Sequence, residues 1–80
     1  MRIPIELQQL GPDFTSGFIV DWLVAVGDTV APGDALVEVE TEKITVQMEA
    51  LNAGVLVEIV HGAGEDVPVG TVIGYLDSVD

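Results

Sequence analysis

The chain has no cysteine, and its 80 residues include only two basic side chains, Arg2 and Lys43. Without a thiol there is no disulfide, thiolate metal site, cysteine nucleophile or intrinsic thiol redox chemistry. Any redox role needs an imported group. The two cations stand against 14 acidic residues, for a formal charge of −12. So acidic a chain repels phosphate backbones, which excludes nucleic-acid binding. Aromatic residues supply only 5% of the sequence, leaving the core to Val, Leu and Ile. No stretch reaches the ~18 uninterrupted apolar residues of a membrane span. Pro4 and Glu6 interrupt the N-terminal segment before a signal-like run forms. The 49% apolar content therefore reads as the buried core of a soluble domain and argues against an acidic disordered tail. A chain of this length makes one domain, residues 1–80.

Room for an ordinary helix is also lacking, because Gly and Pro punctuate the chain throughout. Period-two alternation takes its place. Ile3, Ile5 and Leu7 alternate with Pro4, Glu6 and Gln8, and Leu10-Gly11-Pro12-Asp13 reads as a turn or surface loop. Residues 18–23 form a second strand. Val37 and Val39 alternate with Glu38 and Glu40, and Ile44, Val46 and Met48 alternate with Thr45, Gln47 and Glu49. Residues 55–60 and 72–76 supply two more runs. The class is all-β with short strands.

An internal repeat organises these strands. An offset of 37 carries Gly17 onto Gly54, Val20 onto Val57, Gly27 onto Gly64, Val30 onto Val67 and Gly33 onto Gly70. Most other pairs between 17–39 and 54–76 keep apolar or acidic character. Two half-domains related by a pseudo-two-fold axis follow. The same offset relates Lys43 to Glu6 and Asp80, so the counterpart of a closed hairpin at Lys43 is the pair of chain ends.

Lys43 is the only lysine. It falls between two alternating strands, in Thr41-Glu42-Lys43-Ile44, with Glu42 and Lys43 at the centre of a four-residue turn. From composition alone, the plainer reading is a solvated lysine that aids solubility.

Glu40-Thr41-Glu42-Lys43-Ile44 resembles the attachment motif of lipoyl domains from 2-oxoacid dehydrogenase acyltransferases, within the wider biotinyl/lipoyl-carrier family. The likeness runs through most of the chain. Gly17-Phe18-Ile19-Val20-Asp21-Trp22 is similar to the family's second strand, Gly27-Asp28 and Gly54 stand at family spacing from the lysine, and Gly64 to Thr71 is similar to its closing segment. The resemblance implies a flattened barrel or sandwich of two four-stranded antiparallel sheets with quasi-two-fold symmetry. It implies that Lys43 carries lipoic acid through an amide, as a swinging arm that is not itself catalytic. Implied partners are a thiamine-diphosphate-dependent 2-oxoacid decarboxylase, an acyltransferase core, a dihydrolipoamide dehydrogenase and a lipoyl ligase or transferase. The isolated domain is expected to be a monomer, in a bacterial or archaeal cytoplasm or a mitochondrial matrix. Residues 77–80 would begin a linker to further domains of a larger acyltransferase chain.

Two positions depart from the family pattern. Glu42 replaces the usual Asp, and Ile44 places a β-branched side chain where Ala is usual. The loop Leu10, Gly11, Pro12, Asp13, Phe14, Thr15 and Ser16 is similar to the family's recognition loop beside the lysine. With Glu40 and Thr41 it forms the candidate recognition surface, and its alternative is a plain connection. The glutamates near the tip either complement a basic partner or keep strand edges soluble.

Other chemistry finds no support. His61 has no serine-containing motif near it and reads as a turn or surface residue. Gly62-Ala63-Gly64 lacks the remaining glycine and the following helix of a dinucleotide fingerprint. The acids lack calcium-loop spacing, so no metal is expected. Trp22 aligns with Ile59 and reads as packing. The nearest rival is a biotinyl carrier domain, but there the lysine usually lies between methionines, whereas Glu42 and Ile44 flank it here. The remaining alternative is an unmodified β-barrel module that acts only in assembly.

Overall fold

The computed structural model describes residues 1–41 and 44–78. Eight strands follow one another: β1 (Arg2–Glu6), β2 (Ser16–Trp22), β3 (Thr29–Val30), β4 (Ala35–Glu40), β5 (Thr45–Glu49), β6 (Gly54–Ile59), β7 (Asp66–Pro68) and β8 (Val72–Asp77). They form two four-stranded antiparallel sheets, ordered β1-β8-β6-β3 and β5-β4-β2-β7. The expected flattened sandwich is present, but the sheets do not close into a barrel. A cleft of about 440 Å³ lies where the seam stays open, lined by residues of β1 together with Glu49, Leu51 and Asn52.

The alternation read from the sequence is the alternation of burial. Ile19, Val37, Val39, Leu56 and Ile73 are wholly inaccessible, and their outward neighbours Glu40, Glu58 and Asp77 are exposed. At about 25 cal/mol per Å² of apolar surface, burial of such side chains is the main stabilising term. β3 and β7 are two and three residues long, too short to show any alternation, and the sequence did not announce them.

The pseudo-dyad is reproduced bond by bond. The amide of Gly27 donates to Leu56 O (2.7 Å) and that of Leu56 to Asp28 O (2.9 Å). At the positions 37 residues away, Gly64 donates to Ile19 O and Ile19 to Glu65 O, both at 2.8 Å. These pairs tie each sheet to the other. Register shifts fall at Ile19/Asp21 and at Leu56/Glu58, which are equivalent positions. Gly27, Gly33, Gly64 and Gly70 all have φ between 90° and 102°, the left-handed region where a Cβ is penalised. The spacing of these glycines is therefore a backbone requirement.

One expectation needs correction. β1 matches β5 with an offset of 43, not 37, because the segment before Gly17 is six residues longer than the one before Gly54. The counterpart of Glu6 is Glu49, and Lys43 has no counterpart at Glu6. The conclusion drawn from the symmetry survives on the described neighbours. Thr41 N–H donates to Ile44 O at 2.8 Å, and its equivalent, Ser78 N–H, donates to Met1 O at 2.9 Å. The hairpin in one sheet is thus the counterpart of the paired chain ends in the other. Lys43 and Asp80 themselves lie outside the described residues.

The turn before β7 carries a pH-sensitive tie. His61 Nδ1 lies 2.7 Å from Glu65 Oε1, and the Gly62 amide donates to Glu65 Oε2 at 3.1 Å. The bond to His61, then that from Gly62, holds the Glu65 carboxyl below the ordinary glutamate range. A carboxyl depressed in the fold adds stability above its unfolded value and loses it as the pH falls through the folded one. We expect Glu65→Gln to lower the Tm at pH 7, with the gap to the parent closing as the pH drops below the carboxylate range. Melting curves from pH 7 to pH 3 check this; a gap independent of pH contradicts it.

Candidate functional site

The hairpin β4–β5 presents the candidate lysine segment. Its register runs Val39↔Val46 and Glu40↔Thr45, with Val39 and Met48 holding it to the core. Beyond that pair, Thr41 closes the turn. Its amide meets Ile44 O, its hydroxyl donates to the same oxygen at 3.0 Å, and the Ile44 amide donates to Thr41 Oγ1 at 3.2 Å. The two positions enclosed, Glu42 and Lys43, lie outside the described residues. Ile44 is 59% exposed, so the β-branched side chain that departs from the family pattern faces solvent.

The loop joining β1 to β2 packs against this hairpin. Leu10, Gly11, Pro12, Asp13, Phe14, Thr15 and Ser16 line an open cleft of about 400 Å³ together with Thr41 and Ile44. All of the candidate recognition residues except Glu40 therefore meet at one cleft; Glu40 sits just below it on β4. The loop is built, not slack. Phe14 is buried in the core, 7% exposed, and its amide donates to Gly11 O at 3.2 Å. Gln9 Nε2 donates to the carbonyl oxygens of Gly11 and, at 2.7 Å, Phe14. Val69 donates to Thr15 O at 3.0 Å. Gln9 is the residue that sequence reasoning missed. Its only signal was a polar side chain next to the loop, and an amide that bonds across a turn looks like any other surface glutamine.

The remaining candidates take structural places. Trp22 is half-buried against the core and donates through Nε1 to His61 O at 2.8 Å. His61 pairs with Glu65. Among the described residues no group of three His, Cys, Asp or Glu side chains is placed to hold a metal, and no helix is long and apolar enough to cross a membrane. The site offers an exposed hairpin end, a shaped cleft beside it and acidic surroundings.

Comparison with known proteins adds to this geometry. A family described as "Biotin-requiring enzyme" (Biotin_lipoyl) matches residues 4–76. Component 3 of the mitochondrial pyruvate dehydrogenase complex dihydrolipoyllysine-residue acetyltransferase of Arabidopsis thaliana is 47% identical over 70 residues, covering 86% of this chain and 13% of its own length. The chain thus spans a small part of that relative. The lipoyl domain of the 2-oxoglutarate dehydrogenase complex from Azotobacter vinelandii superposes with a TM-score of 0.74 at 28% identity, covering 95% of this chain and 96% of that one. A single-chain, multi-domain long-chain acyl-CoA carboxylase superposes with a TM-score of 0.82 over 99% of this chain and 7% of its own. At 20% identity, that likeness concerns the fold alone.

Proposed function

The chain belongs to the biotinyl/lipoyl attachment family, and from that premise we propose that it is a swinging-arm carrier with lipoic acid in amide linkage to Lys43. The observation that carries the reading is the hairpin itself. The only lysine of the chain lies in sequence between Thr41 and Ile44, which are locked together by three hydrogen bonds.

The flanking geometry fits such a group. An amide arm needs an amine that a modifying enzyme can reach, and the exposed Ile44 and Thr45 leave this end of the sheet uncovered. When attached, the dithiolane supplies a disulfide that accepts an acyl group with two electrons, chemistry that a chain without cysteine cannot perform. The protein's own residues position and present. β4 and β5 fix the height of the tip, Thr41 fixes its width, and the loop 10–16 gives a partner a shaped surface beside it. Covalent attachment raises the effective concentration of the carried intermediate at successive active sites.

The proposed partners are the decarboxylase, acyltransferase core and dihydrolipoamide dehydrogenase of a 2-oxoacid dehydrogenase complex, together with the ligase or transferase that attaches lipoate. The setting is a bacterial or archaeal cytoplasm or a mitochondrial matrix, with the domain as part of a longer acyltransferase chain. Similarity to an acetyltransferase component and to a lipoyl domain supports this reading over the biotinyl alternative, as do the non-methionine neighbours of Lys43.

Expression in a lipoate-supplied host tests the site. Intact mass is expected to show one lipoyl increment on the parent domain and none on Lys43→Ala. An increment that persists in Lys43→Ala overturns the assignment.

A further inference from the structure

The two sheets are related by the pseudo-dyad, yet their outer faces differ in one respect that the fold does not require. On the face of β1, β8 and β6, Arg2 lies 4.5 Å over the ring centroid of Tyr75 and forms an ion pair with Glu58. Aromatic ring, carboxylate and guanidinium are all partnered within the chain.

The equivalent positions on the other face are Thr45 for Arg2, Glu38 for Tyr75 and Asp21 for Glu58. None of these three is basic. Asp21 pairs directly across the strands with Glu38, a like-charge arrangement that costs stability. Phe18 sits between Glu40 on β4 and Asp66 on β7. It is 40% exposed, with Val20 beside it at 37%. Asp21, Glu38, Glu40 and Asp66 form no ion pair among the described residues. The domain thus presents an exposed aromatic ring with Glu40 and Asp66 opposite it and the Asp21–Glu38 pair farther along the same strands, one row below the Thr41–Ile44 turn.

We infer that this face is a docking surface for an arginine-bearing protein, in which a guanidinium of the partner stacks on Phe18 and meets the surrounding carboxylates as Arg2 meets Tyr75 and Glu58. The inference rests on the carrier reading. Within that reading the partner is the decarboxylase. An acyltransferase core on the same chain meets the arm at high effective concentration and needs little docking affinity. A decarboxylase on a separate chain needs a recognition surface, and charge complementarity supplies both specificity and encounter rate. A planar guanidinium suits the site better than an ammonium because it stacks and forks to carboxylate at once.

The test is reductive acylation of the lipoylated domain by the pyruvate and 2-oxoglutarate decarboxylases of the source organism, with KM for the domain read at low and high salt. Phe18→Ala is expected to lower kcat/KM by about tenfold or more through KM, the size of an interface anchor. The double variant Asp21→Asn/Glu38→Gln removes the like-charge pair without harming the fold, and is expected to lose most of the salt dependence. Val55→Ala, at the counterpart of Phe18, should stay within about twofold of the parent, since it lies off this surface. Equal kcat/KM for Phe18→Ala and the parent overturns the inference, as does an equal loss in Val55→Ala. It is also overturned if the lipoylated parent is acylated by neither enzyme, or if Phe18→Ala slows only reoxidation by dihydrolipoamide dehydrogenase. Failure of the parent to take lipoate, read separately by mass, overturns the carrier reading itself.

Discussion

One glycine inserted after Glu40 is expected to abolish lipoylation of Lys43 while leaving a folded domain. The hairpin allows a single spacing. Glu40 pairs with Thr45 and Thr41 with Ile44, which leaves two positions for the turn. An added residue has two outcomes. If β5 keeps its register, the tip grows by a residue and the amine leaves its place. If β5 slips by one, Val46 and Met48 exchange faces with Thr45 and Gln47, at the cost of the buried Met48. The first is cheaper, so the core stays intact and the error concentrates at the tip. Displacement by about an ångström is enough to cost ~10²-fold where two groups must meet in one geometry. Intact mass after ligase treatment, with a melting curve on the same sample, reads both halves of this result. Complete modification of the inserted variant means that the modifying enzyme senses the lysine and not its placement, and the positional argument falls.

Gly54→Ala is expected to destabilise the fold more than any surface change. A Cβ built at Gly54 would lie 2.6 Å from Asp77 O and 3.1 Å from its carbonyl carbon. The obstacle is the backbone of β8, paired here through Val55↔Asp77, and it cannot rotate away. Overpacking of this kind costs about 1–3 kcal/mol, which for a domain of this size lowers the Tm by roughly 4–8 °C per kcal/mol. Its counterpart, Gly17, behaves differently. There a Cβ would approach Val39 Cγ1 and, at 2.8 Å, Phe14 Cζ. Gly17→Ala therefore displaces the side chain that anchors the cleft loop. Its signature is a change in the environment of Phe14 and of loop 10–16, seen as amide shifts, together with a loss of Tm. If Gly54→Ala melts within about 2 °C of the parent, the close approach of β6 and β8 is not the reason for a glycine there.

These glycines show why much of the fold was readable. Gly27, Gly33, Gly64 and Gly70 mark four turns that need positive φ, and Gly17 and Gly54 mark two close approaches. Each constraint is local to the backbone, so each leaves its mark at a fixed place in the sequence, and the 37-residue spacing of the marks exposed the dyad. Side chains that alternate in and out left the six longer strands legible for the same reason. What was not legible depended on distant partners. β3 and β7 become strands only because β6 and β2 run beside them. The extra length before Gly17 displaced β1 from the simple offset because a loop wraps the hairpin there, and nothing in residues 10–16 says which turn they will face. Gln9 looked like a surface residue until its two carbonyl partners were in place. That Thr45 stands where the other face has Arg2 is likewise visible only by comparison across the dyad.

Parallel treatment of the purified domain with lipoyl ligase, lipoate and ATP, and with biotin ligase, biotin and ATP, tests whether Lys43 holds a lipoyl arm. One lipoyl increment in the intact mass, lost in Lys43→Ala, and no biotin increment are expected. A biotin increment on Lys43, or no increment from either enzyme, contradicts the lipoyl assignment.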